Sequence, residues 1–440
     1  MDSIWTKGTQ LPRFEELKKD IDTDVLIIGG GIAGILCAYM LKEAGVDCAV
    51  AEASRICGGI TKNTTAKITV QHGLIYDKMI RGSGEESAKL YLKVQRSALK
   101  QYFDLCERID CDLEIKDSFV YSIDNRKKIE KEIKALERIG CKADFVDRLS
   151  LPFSVAGAVR IKGQAQFDPL KFMSGIVKGL PIFENTKILE LRPNGAITKN
   201  GRIFARRIIV ATHFPFINKH GSYFLKMYQH RSYVIALENA PDVDGMYVDE
   251  SDRGLSFRNY KGSLLLGGGG HRTGKGGGCW QELSDFAKRN YPQAKEIGRW
   301  ATQDCMTLDG IPYIGQYSKN TPNMYVATGF NKWGMTSAMA AAMILRDILC
   351  GEKAEKNEFS EIFSPSRSVL HPQLAVNSFE ALAGLLKPSA PRCPHMGCAL
   401  KYNRQEHSWD CSCHGSRFEK NGKLIDNPAA DDMISPRRRT

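Results

Sequence analysis

Near the C-terminal end, two short loops contain cysteine and histidine at the spacing of metal ligands. They lie within CPHMGCALKYNRQEHSWDCSCHGSRF, residues 393–418. The candidate ligands, one thiol and one imidazole from each loop, are Cys393, His395, Cys411 and His414. Thiolate and imidazole in equal number suit a zinc ion. A plain zinc site does not require the two further cysteines, Cys398 and Cys413, so the pattern indicates a more elaborate centre.

The longer pattern, C-x-H-x-G-C followed by C-x-C-H-G-S-x-F, resembles the Rieske 2Fe–2S motif. In Rieske centres two thiolates bind one iron and two histidines bind the other. The resemblance implies that Cys393 and Cys411 bind one iron and that His395 and His414 bind the other. It also implies a possible disulfide between Cys398 and Cys413, although a cytoplasmic setting disfavours such a bond.

The segment before these loops lacks the strands that a full Rieske domain needs. Residues 351–392 contain Pro, Ser and one short helical pattern, but no convincing series of strands. About 50 residues are too few to support their own hydrophobic core. We therefore expect a truncated Rieske module that is braced by its metal and docked on the rest of the chain.

A second candidate site lies at the front of the chain. DVLII, residues 24–28, predicts a buried parallel strand, and a glycine-rich turn and a helix follow at once. Gly29, Gly31 and Gly34 have the G-x-G-x-x-G spacing, and Glu52 ends the next predicted strand. This order predicts a dinucleotide site in which a helix N-terminus faces the diphosphate. The acid can accept hydrogen bonds from a ribose, which favours FAD or NAD over NADP.

Later segments point to FAD. A loop past the diphosphate is predicted in SRICGGITKNTTAK, and MTLDGIPYIG precedes a strand, a glycine-containing loop and a small-residue helix. The T-x-D-x-x-P-x-I-G element and the closing Gly329 to Gly334 loop resemble the FAD-dependent family of D-amino acid oxidase, glycine oxidase and sarcosine oxidase. The further FAD-binding candidates are Arg55, Gly59, Thr65, Asp309, Gly329, Gly334, Met335 and Thr336.

This second resemblance covers about residues 22–350. It implies a flavin that faces an antiparallel-sheet domain, and oxidation at a carbon next to an amine. One departure lies at His213, where the family usually has glycine after Ala-Thr. Some relatives bind FAD covalently, but His72 and Cys305 are displaced from the linkage positions, so we expect non-covalent FAD.

The fold class expected is α/β (α+β). A Rossmann-like FAD-binding domain and an antiparallel-sheet substrate domain alternate along the chain and precede a small β-rich Rieske-type module. The expected boundaries are an N-terminal extension at 1–21, FAD-binding parts at 22–84, 186–218 and 299–352, substrate-domain parts at 85–185 and 219–298, a linker at 353–386, and the truncated Rieske domain at 387–440.

Two residues of the predicted antiparallel sheet are candidates for contact with a substrate. Arg258 could clamp a carboxylate with its planar fork, or it could be a surface arginine on an edge strand. His271 follows four glycines whose flexible backbone could approach the flavin. No catalytic base is assigned from the sequence.

Composition narrows the class of protein further. The net charge is +12, but the basic residues are spread along the chain without interleaved aromatics, so nucleic acid is not expected as a partner. No run of apolar residues is long enough to span a membrane, and the N-terminus lacks the apolar core of a signal peptide. With scattered cysteines, these features favour the cytoplasm.

The combined hypothesis is a flavin- and iron–sulfur-dependent oxidoreductase of an amine or amino acid. Electrons would pass from the flavin to the cluster and on to an unidentified electron-transfer partner. One alternative is a reductase that sends electrons from the cluster to the flavin. Another is a redox sensor or electron carrier without catalytic activity.

Overall fold

The computed structural model describes residues 2–217, 220–351, 357–368, 371–387 and 391–433. The helices are α1 (Trp5–Gly8), α2 (Ile32–Glu43), α3 (Ile75–Ser83), α4 (Glu85–Cys106), α5 (Arg126–Arg138), α6 (Pro169–Ile176), α7 (Tyr223–Lys226), α8 (Trp280–Asn290), α9 (Gly334–Cys350), α10 (Ser360–Phe363) and α11 (Pro372–Leu386). A short 3₁₀ turn covers Ile60–Asn63.

The strands are β1 (Ile21–Ile28), β2 (Cys48–Ala51), β3 (Lys67–Ile68), β4 (Glu114–Ser122), β5 (Asp144–Val146), β6 (Gly157–Gln166), β7 (Ile182–Phe183), β8 (Glu190–Arg192), β9 (Gly195–Ile197), β10 (Arg202–Val210), β11 (Met227–Glu238), β12 (Met246–Asp249), β13 (Ser256–Tyr260), β14 (Ser263–Arg272), β15 (Lys295–Thr307), β16 (Tyr313–Gln316), β17 (Met324–Thr328), β18 (Leu400–Asn403), β19 (Ser408–Cys411), β20 (Arg417–Glu419) and β21 (Leu424–Asp426).

The first sheet has the strand order β16-β17-β10-β1-β2-β7, and the hairpin of β8 and β9 extends from β10. Neighbours from β17 to β7 are parallel, whereas β16 is an antiparallel edge. Helices α2 and α9 pack against each other beside this sheet. Both helices are buried and apolar on almost every side. Together with the sheet they form the Rossmann-like domain.

The second sheet has the order β15-β11-β14-β13-β12-β4-β6-β3, with β5 paired to β6. Its pairs are antiparallel except for β12 and β4. Successive side chains of a strand point to opposite faces, so each long strand can serve two neighbours at once. This property matters most for β11 and β15, which pair along their whole length.

The third sheet is the four-stranded β18-β19-β20-β21 meander of the C-terminal module. Among the described residues before 391, no strand joins this sheet. Helix α11 lies beside it instead, and a side-chain carbon added at Gly384 would lie 2.4 Å from Cys413 Sγ. The expected mixed α/β fold with a small β-rich module is therefore confirmed.

The sheets cross the expected boundaries at several places. Strand β7 pairs with β2 of the first sheet although residues up to 185 were expected in the substrate domain. Strand β15 stays in the second sheet to Thr307, beyond the boundary expected at 298. The expected linker, 353–386, contains α10 and the 15-residue helix α11. In the part of the chain that the structure describes, no helix has the length and apolar character needed to cross a lipid bilayer.

Candidate active site and metal centre

A cavity of about 1120 Å³ lies where the carboxyl ends of the parallel strands face the second sheet. From the predicted FAD-binding set, its lining contains Gly29, Gly31, Glu52, Arg55, Gly59, Thr65, Gly334 and Met335. The remaining members, Gly34, Asp309, Gly329 and Thr336, lie outside the lining. The structure thus gathers residues from both ends of the chain around one cavity.

The turn after β1 requires glycine. Gly29 has a φ of +111°, and a Cβ there would lie 2.6 Å from the Ala211 carbonyl oxygen. A Cβ on Gly34 would lie 1.9 Å from the Gly29 carbonyl oxygen, so α2 approaches the turn closely. The Ile32 N–H donates to Thr61 Oγ1 at 3.0 Å. The N-terminus of α2 faces the cavity, where it can attract an anionic diphosphate.

Two buried carboxylates organise the next loop. Glu52 accepts hydrogen bonds from the Gly30 and Ser54 N–H groups at 2.7 and 2.8 Å, and its burial raises the pKa of Glu52. Glu184 accepts the Ile56 N–H at 2.8 Å and pairs with Arg55. The sequence analysis missed Glu184, because nothing near it in the chain indicates that it meets the loop after β2.

The predicted cofactor residues outside the cavity lining support the loops that form the cavity. Asp309 accepts two hydrogen bonds from the Arg367 guanidinium, at 2.7 and 2.8 Å. Gly329 lies tightly against Thr307, where a Cβ would meet the methyl group at 2.4 Å. The Thr336 hydroxyl donates to the Thr69 carbonyl at 3.0 Å. These contacts are structural supports for the loops that face the cavity.

The two candidate linkage residues have different surroundings. His72 is buried, contacts the Tyr91 hydroxyl at 2.7 Å and the Thr69 carbonyl at 3.0 Å, and does not line the cavity. Cys305 lines the cavity, but it is only 2% exposed and burial raises the pKa of its thiol well above the usual value. A thiol that is held protonated is a poor nucleophile.

Neither substrate-contact candidate lines the cavity. Arg258 is 0% exposed and donates to the carbonyls of Thr65 and Ala66 at 2.7 and 3.0 Å. The role expected for Arg258, a carboxylate clamp, does not fit this placement, because its guanidinium instead supports the loop that carries Thr65. His271 stacks on Tyr233 with ring centroids 5.7 Å apart, and its Nδ1 contacts the Gly269 carbonyl.

The two cysteine-containing loops of the C-terminal module have the same backbone pattern. In the first, the Cys393 N–H donates to the carbonyl five residues later and the Gly397 N–H donates back to Cys393. In the second, the Cys411 N–H donates to the Ser416 carbonyl and the Gly415 N–H donates to the Cys411 carbonyl, both at 2.9 Å. Gly397 and Gly415 have φ values of +78° and +94°, which only glycine adopts easily. The pattern presents two matched loops to one space between them.

The predicted ligands meet in that space. The His395 and His414 rings are 4.9 Å apart, and His414 Nδ1 is buried with no hydrogen-bond partner among the described residues. Hydrogen bonds from neighbouring thiols, that of Cys393 first, lower the pKa of Cys411. The lowered pKa favours the thiolate form, which is the form that binds iron. The sulfurs of Cys398, Cys411 and Cys413 lie within 4.8 Å of one another. The possible disulfide pair therefore lies beside the ligand Cys411, and the two thiols and two imidazoles of the predicted ligands are the donor types that a Rieske cluster takes.

The predicted disulfide pair is brought together without being bonded. Cys398 and Cys413 are both free thiols in the structure. Gly384 of α11 covers them, because a Cβ at that position would meet both sulfurs within 3.6 Å. His407, which has no ligand role in the predicted motif, is exposed in the turn between β18 and β19.

The histidine side of the module faces the flavoprotein body. The His395 ring meets Phe214 edge-on with centroids 6.4 Å apart, and the His414 ring meets Phe224 at 6.2 Å. Phe214 and Phe224 lie in the segment that joins β10 to β11. The histidine side of this short module therefore packs against the flavoprotein body.

A buried ionic network fastens the module to β11. Glu406 accepts hydrogen bonds from Arg231 Nε at 2.8 and 2.9 Å and from Arg417 at 2.9 Å. The Tyr233 hydroxyl donates to the same carboxylate at 2.5 Å. Burial alone would raise the pKa of Glu406, but the two guanidinium groups lower it to about 2. On β14, Arg272 donates to the carbonyl of Cys413 at 2.7 Å.

The module also forms part of the cavity wall. Residues 423–427 and 429–432 line the cavity together with the turns after β1 and β10. Asn427 donates from Nδ2 to the carbonyls of Thr212 and Phe214 at 2.5 and 3.1 Å. His213, the departure from the family pattern, lines the cavity between these contacts with a φ of +66°. The cofactor cavity and the metal centre therefore share one wall.

A Rossmann-like domain that opens onto an antiparallel sheet, joined to paired cysteine and histidine loops, defines a flavoprotein oxidoreductase with a Rieske centre. Residues 24–348 match the family model described as FAD dependent oxidoreductase, and 357–436 match the Rieske [2Fe-2S] domain model. The chain belongs to the FAD dependent oxidoreductase family. It is an oxidoreductase whose cofactors are FAD and a 2Fe–2S cluster.

Individual relatives agree with this assignment. The chain is 33% identical to the putative Rieske 2Fe-2S iron-sulfur protein YhfW of Bacillus subtilis strain 168, over 97% of this chain and 96% of that protein. It is 24% identical to gamma-glutamylputrescine oxidoreductase of Escherichia coli strain K12, over 79% and 88% of the two chains. Glycine oxidase from Geobacillus kaustophilus has the same fold, with a TM-score of 0.66 at 19% identity over 79% and 99%.

Proposed function

We propose that this chain oxidises the C–N bond of an amine or amino acid and that the electrons pass from the flavin to the Rieske cluster. The observation that carries the proposal is the wall shared by the two sites, where residues 423–432 of the module line the cavity. When bound, FAD supplies a two-electron acceptor for hydride and the cluster supplies a one-electron carrier. The substrate loses a hydride and a proton to become an imine, which water hydrolyses.

The chain's own residues would bind and position these groups. The N-terminus of α2 would hold the diphosphate, and Glu52 would accept hydrogen bonds from the ribose. The second sheet would exclude water from the substrate. Cys393 and Cys411 would hold one iron, while His395 and His414 would hold the other.

In this proposal the electrons leave the cluster for a separate electron-transfer partner. Helix α11 lies against the cysteine loops and exposes Phe379, Leu382 and Leu386 by 70%, 59% and 80%. Such an apolar surface beside a redox centre suits a transient partner. We place the protein in the cytoplasm, where the free cysteines of the described chain would persist as thiols.

Anaerobic mixing of the purified holoprotein with a panel of amines and amino acids tests this function. We expect the flavin absorption band to bleach, followed by the EPR signal of a reduced Rieske cluster. Bleaching of the flavin without that signal would contradict electron transfer to the cluster. Reduction of the flavin only by a low-potential donor, with no response to any amine or amino acid, would favour the reductase.

A further inference from the structure

The part of the cavity beside the second sheet carries negative charge. Its lining there includes Asp249, Glu250, Asp252 and Asp304. The opposing cations are Lys67 and Lys332. Glu250 is engaged by Lys128 at 2.8 Å, and Asp252 lies 3.9 Å from the Lys332 ammonium. Asp249 and Asp304 form no ion pair among the described residues, but Asp249 accepts the Ser251 N–H at 2.7 Å.

The direction of the Asp304 side chain follows from the register of β15. Thr302, Asp304 and Met306 alternate along the strand, and all three line the cavity. Gln303 points to the opposite face, where it donates to the Gly415 carbonyl of the module at 2.9 Å. Cys305, on the same face as Gln303, also borders the cavity, so β15 lies along the cavity edge with Asp304 on one face and the Gln303 contact to the Rieske module on the other.

The charge of Asp304 is offset by Lys332 but by no ion pair among the described residues. His230 stands directly opposite on β11 and is therefore on the same face. It is 4% exposed, and its Nδ1 has no hydrogen-bond partner within the described ranges. Burial, followed by Lys332 and neighbouring cations, lowers the pKa of His230 to about 2, so the ring is neutral at pH 7. Burial raises the pKa of Asp304 to about 6, and the charge of Lys332 partly offsets this shift.

An arginine clamp for a carboxylate is missing from this end of the described cavity. The described lining residues include one arginine, Arg55, which pairs with Glu184 beside the dinucleotide loop. Arg258 donates through Nη1 to backbone carbonyls and its Nη2 has no hydrogen-bond partner among the described residues, but the side chain is fully buried and does not line the cavity. An α-amino acid would bring its carboxylate next to Asp304, where Lys67 and Lys332 are the cations of this part of the described lining and burial lowers the pKa of both ammonium groups. Like charges at close range repel.

We propose that Asp304 binds the ammonium group of the substrate and selects amines that have no carboxylate on the carbon to be oxidised. This inference rests on the proposed function for its reaction, but the binding that it describes can be measured without turnover. Substrates of this class include simple alkylamines and polyamines. A carboxylate elsewhere on a longer substrate remains compatible with the site.

The experiment uses two probes that share a tert-butyl group and carry opposite charges, tert-butylammonium and 2,2-dimethylpropanoate. Neither can be oxidised by the proposed reaction, because the ammonium has no hydrogen on the carbon next to nitrogen and the carboxylate has no amine. Binding to the full-length holoprotein is followed by calorimetry and by the flavin difference spectrum. We expect the ammonium to bind at least about tenfold more tightly than the carboxylate.

The variant Asp304→Asn should weaken ammonium binding by about ten- to a hundredfold, as expected for loss of a charged hydrogen bond. The matched control is Asp285→Asn, at an exposed position outside the cavity lining, which should change the affinity little. Flavin and cluster spectra confirm that each variant is loaded. Unchanged ammonium binding in the loaded Asp304→Asn protein would overturn the proposal, as would tighter binding of the carboxylate by the unaltered protein.

These outcomes are separate from the fate of the proposed function. If no amine bleaches the flavin but the ammonium probe still binds through Asp304, the proposed amine oxidation is wrong and the proposed cation site is supported. If α-amino acids bleach the flavin and the carboxylate probe binds more tightly, oxidation stands and the role of Asp304 is wrong.

Discussion

The flavoprotein body and the Rieske module are stabilised in different ways. The body has large hydrophobic clusters, in which α2, α4 and α9 contribute buried residues from many turns. The buried hydrophobic cluster of the module consists of Cys393, Cys398, Leu400, Cys411, Cys413, Phe418 and Ala429. Most of these are cysteines that a cluster would engage or touch. A small unit of this kind needs a metal and a neighbour to remain folded.

The difference shows how a truncated domain can persist. The module replaces the missing base with polar contacts to the body, chiefly Arg231 to Glu406, Arg272 to the second loop, and Gln303 to Gly415. Glycines 274, 277 and 278 let the module approach, since a Cβ at Gly278 would lie 1.7 Å from Gln405. The body therefore carries the fold, and the module depends on it.

The largest expected effect follows from Cys411→Ser. Loss of a thiolate ligand should abolish the cluster and unfold the module, because metal binding and folding are coupled. Since residues 423–432 line the cavity, FAD should also bind about tenfold more weakly, equivalent to about 1.4 kcal/mol. EPR of the reduced protein and flavin fluorescence measure the two effects.

The matched control for this change is Cys350→Ser, because Cys350 is an exposed free cysteine outside the module. It should leave both the cluster signal and the FAD affinity unchanged. An unchanged far-UV spectrum and unchanged FAD affinity after loss of the cluster would show that the module does not depend on its metal.

Gly34→Ala should give the reverse pattern. The new methyl group would lie 1.9 Å from the Gly29 carbonyl and push α2 away from the turn. We expect FAD affinity to fall by about a hundredfold, a cost of about 3 kcal/mol that is typical of overpacking. The cluster EPR signal should survive. Gly8→Ala, at a site with nothing within 4 Å, is the control, and loss of the cluster in Gly34→Ala would show that the body and module fold together.

Glu406→Gln tests the buried network. The change leaves Arg231, whose side chain is 8% exposed, buried without its charged partner. Arg417 keeps its pairs with Asp410 and Asp426. Breaking a buried ion pair from one side costs about 3–5 kcal/mol. We expect that decrease in the free energy of unfolding of the module, measured from urea-induced bleaching of the cluster absorption. Glu419→Gln, at an exposed position, should change it little.

The same carboxylate predicts a dependence on pH. Because Arg231 and Arg417 lower the pKa of Glu406 to about 2 despite its burial, the group stabilises the folded state when it is ionised. This contribution is complete above the unfolded pKa of about 4.3 and is lost as the pH falls from there towards 2. Unfolding measured across this range should therefore show a steeper slope in the unaltered protein than in Glu406→Gln. Equal slopes would contradict the assignment.

The smallest effect is expected from Asn427→Ala. It removes the donor to the Thr212 carbonyl, at a cost of about 1–3 kcal/mol for an acceptor left unpaired, while the Phe214 carbonyl still accepts the Thr212 hydroxyl at 3.0 Å. FAD should dissociate a fewfold faster while the cluster is retained, as measured by flavin fluorescence and EPR. Asn421→Ala, at an exposed position of the module, is the control, and equal behaviour of the two variants would mean that the shared wall does not hold the cofactor.

Local patterns were sufficient for some features and insufficient for others. The glycine turn and the cysteine loops could be predicted because their ligands lie within a few residues and backbone geometry demands particular residue types. The contact of Arg231 with Glu406 could not, because the two are 175 residues apart. Alternation along β15 could have placed Asp304 on one face with Thr302 and Met306. It could not have shown how that face lies relative to the cavity.

By itself, the sequence determined the chemistry of this protein: a dinucleotide turn, a set of iron ligands and the two cofactors that they imply. Spacing along a short segment is enough for this, since such ligands are held by local turns. Only the tertiary structure decided where those parts lie relative to one another. It turned the histidines of the module towards Phe214 and Phe224, gave Arg258 a supporting role and left Asp304 facing the cavity, because packing between distant segments selects which face of a strand each partner meets.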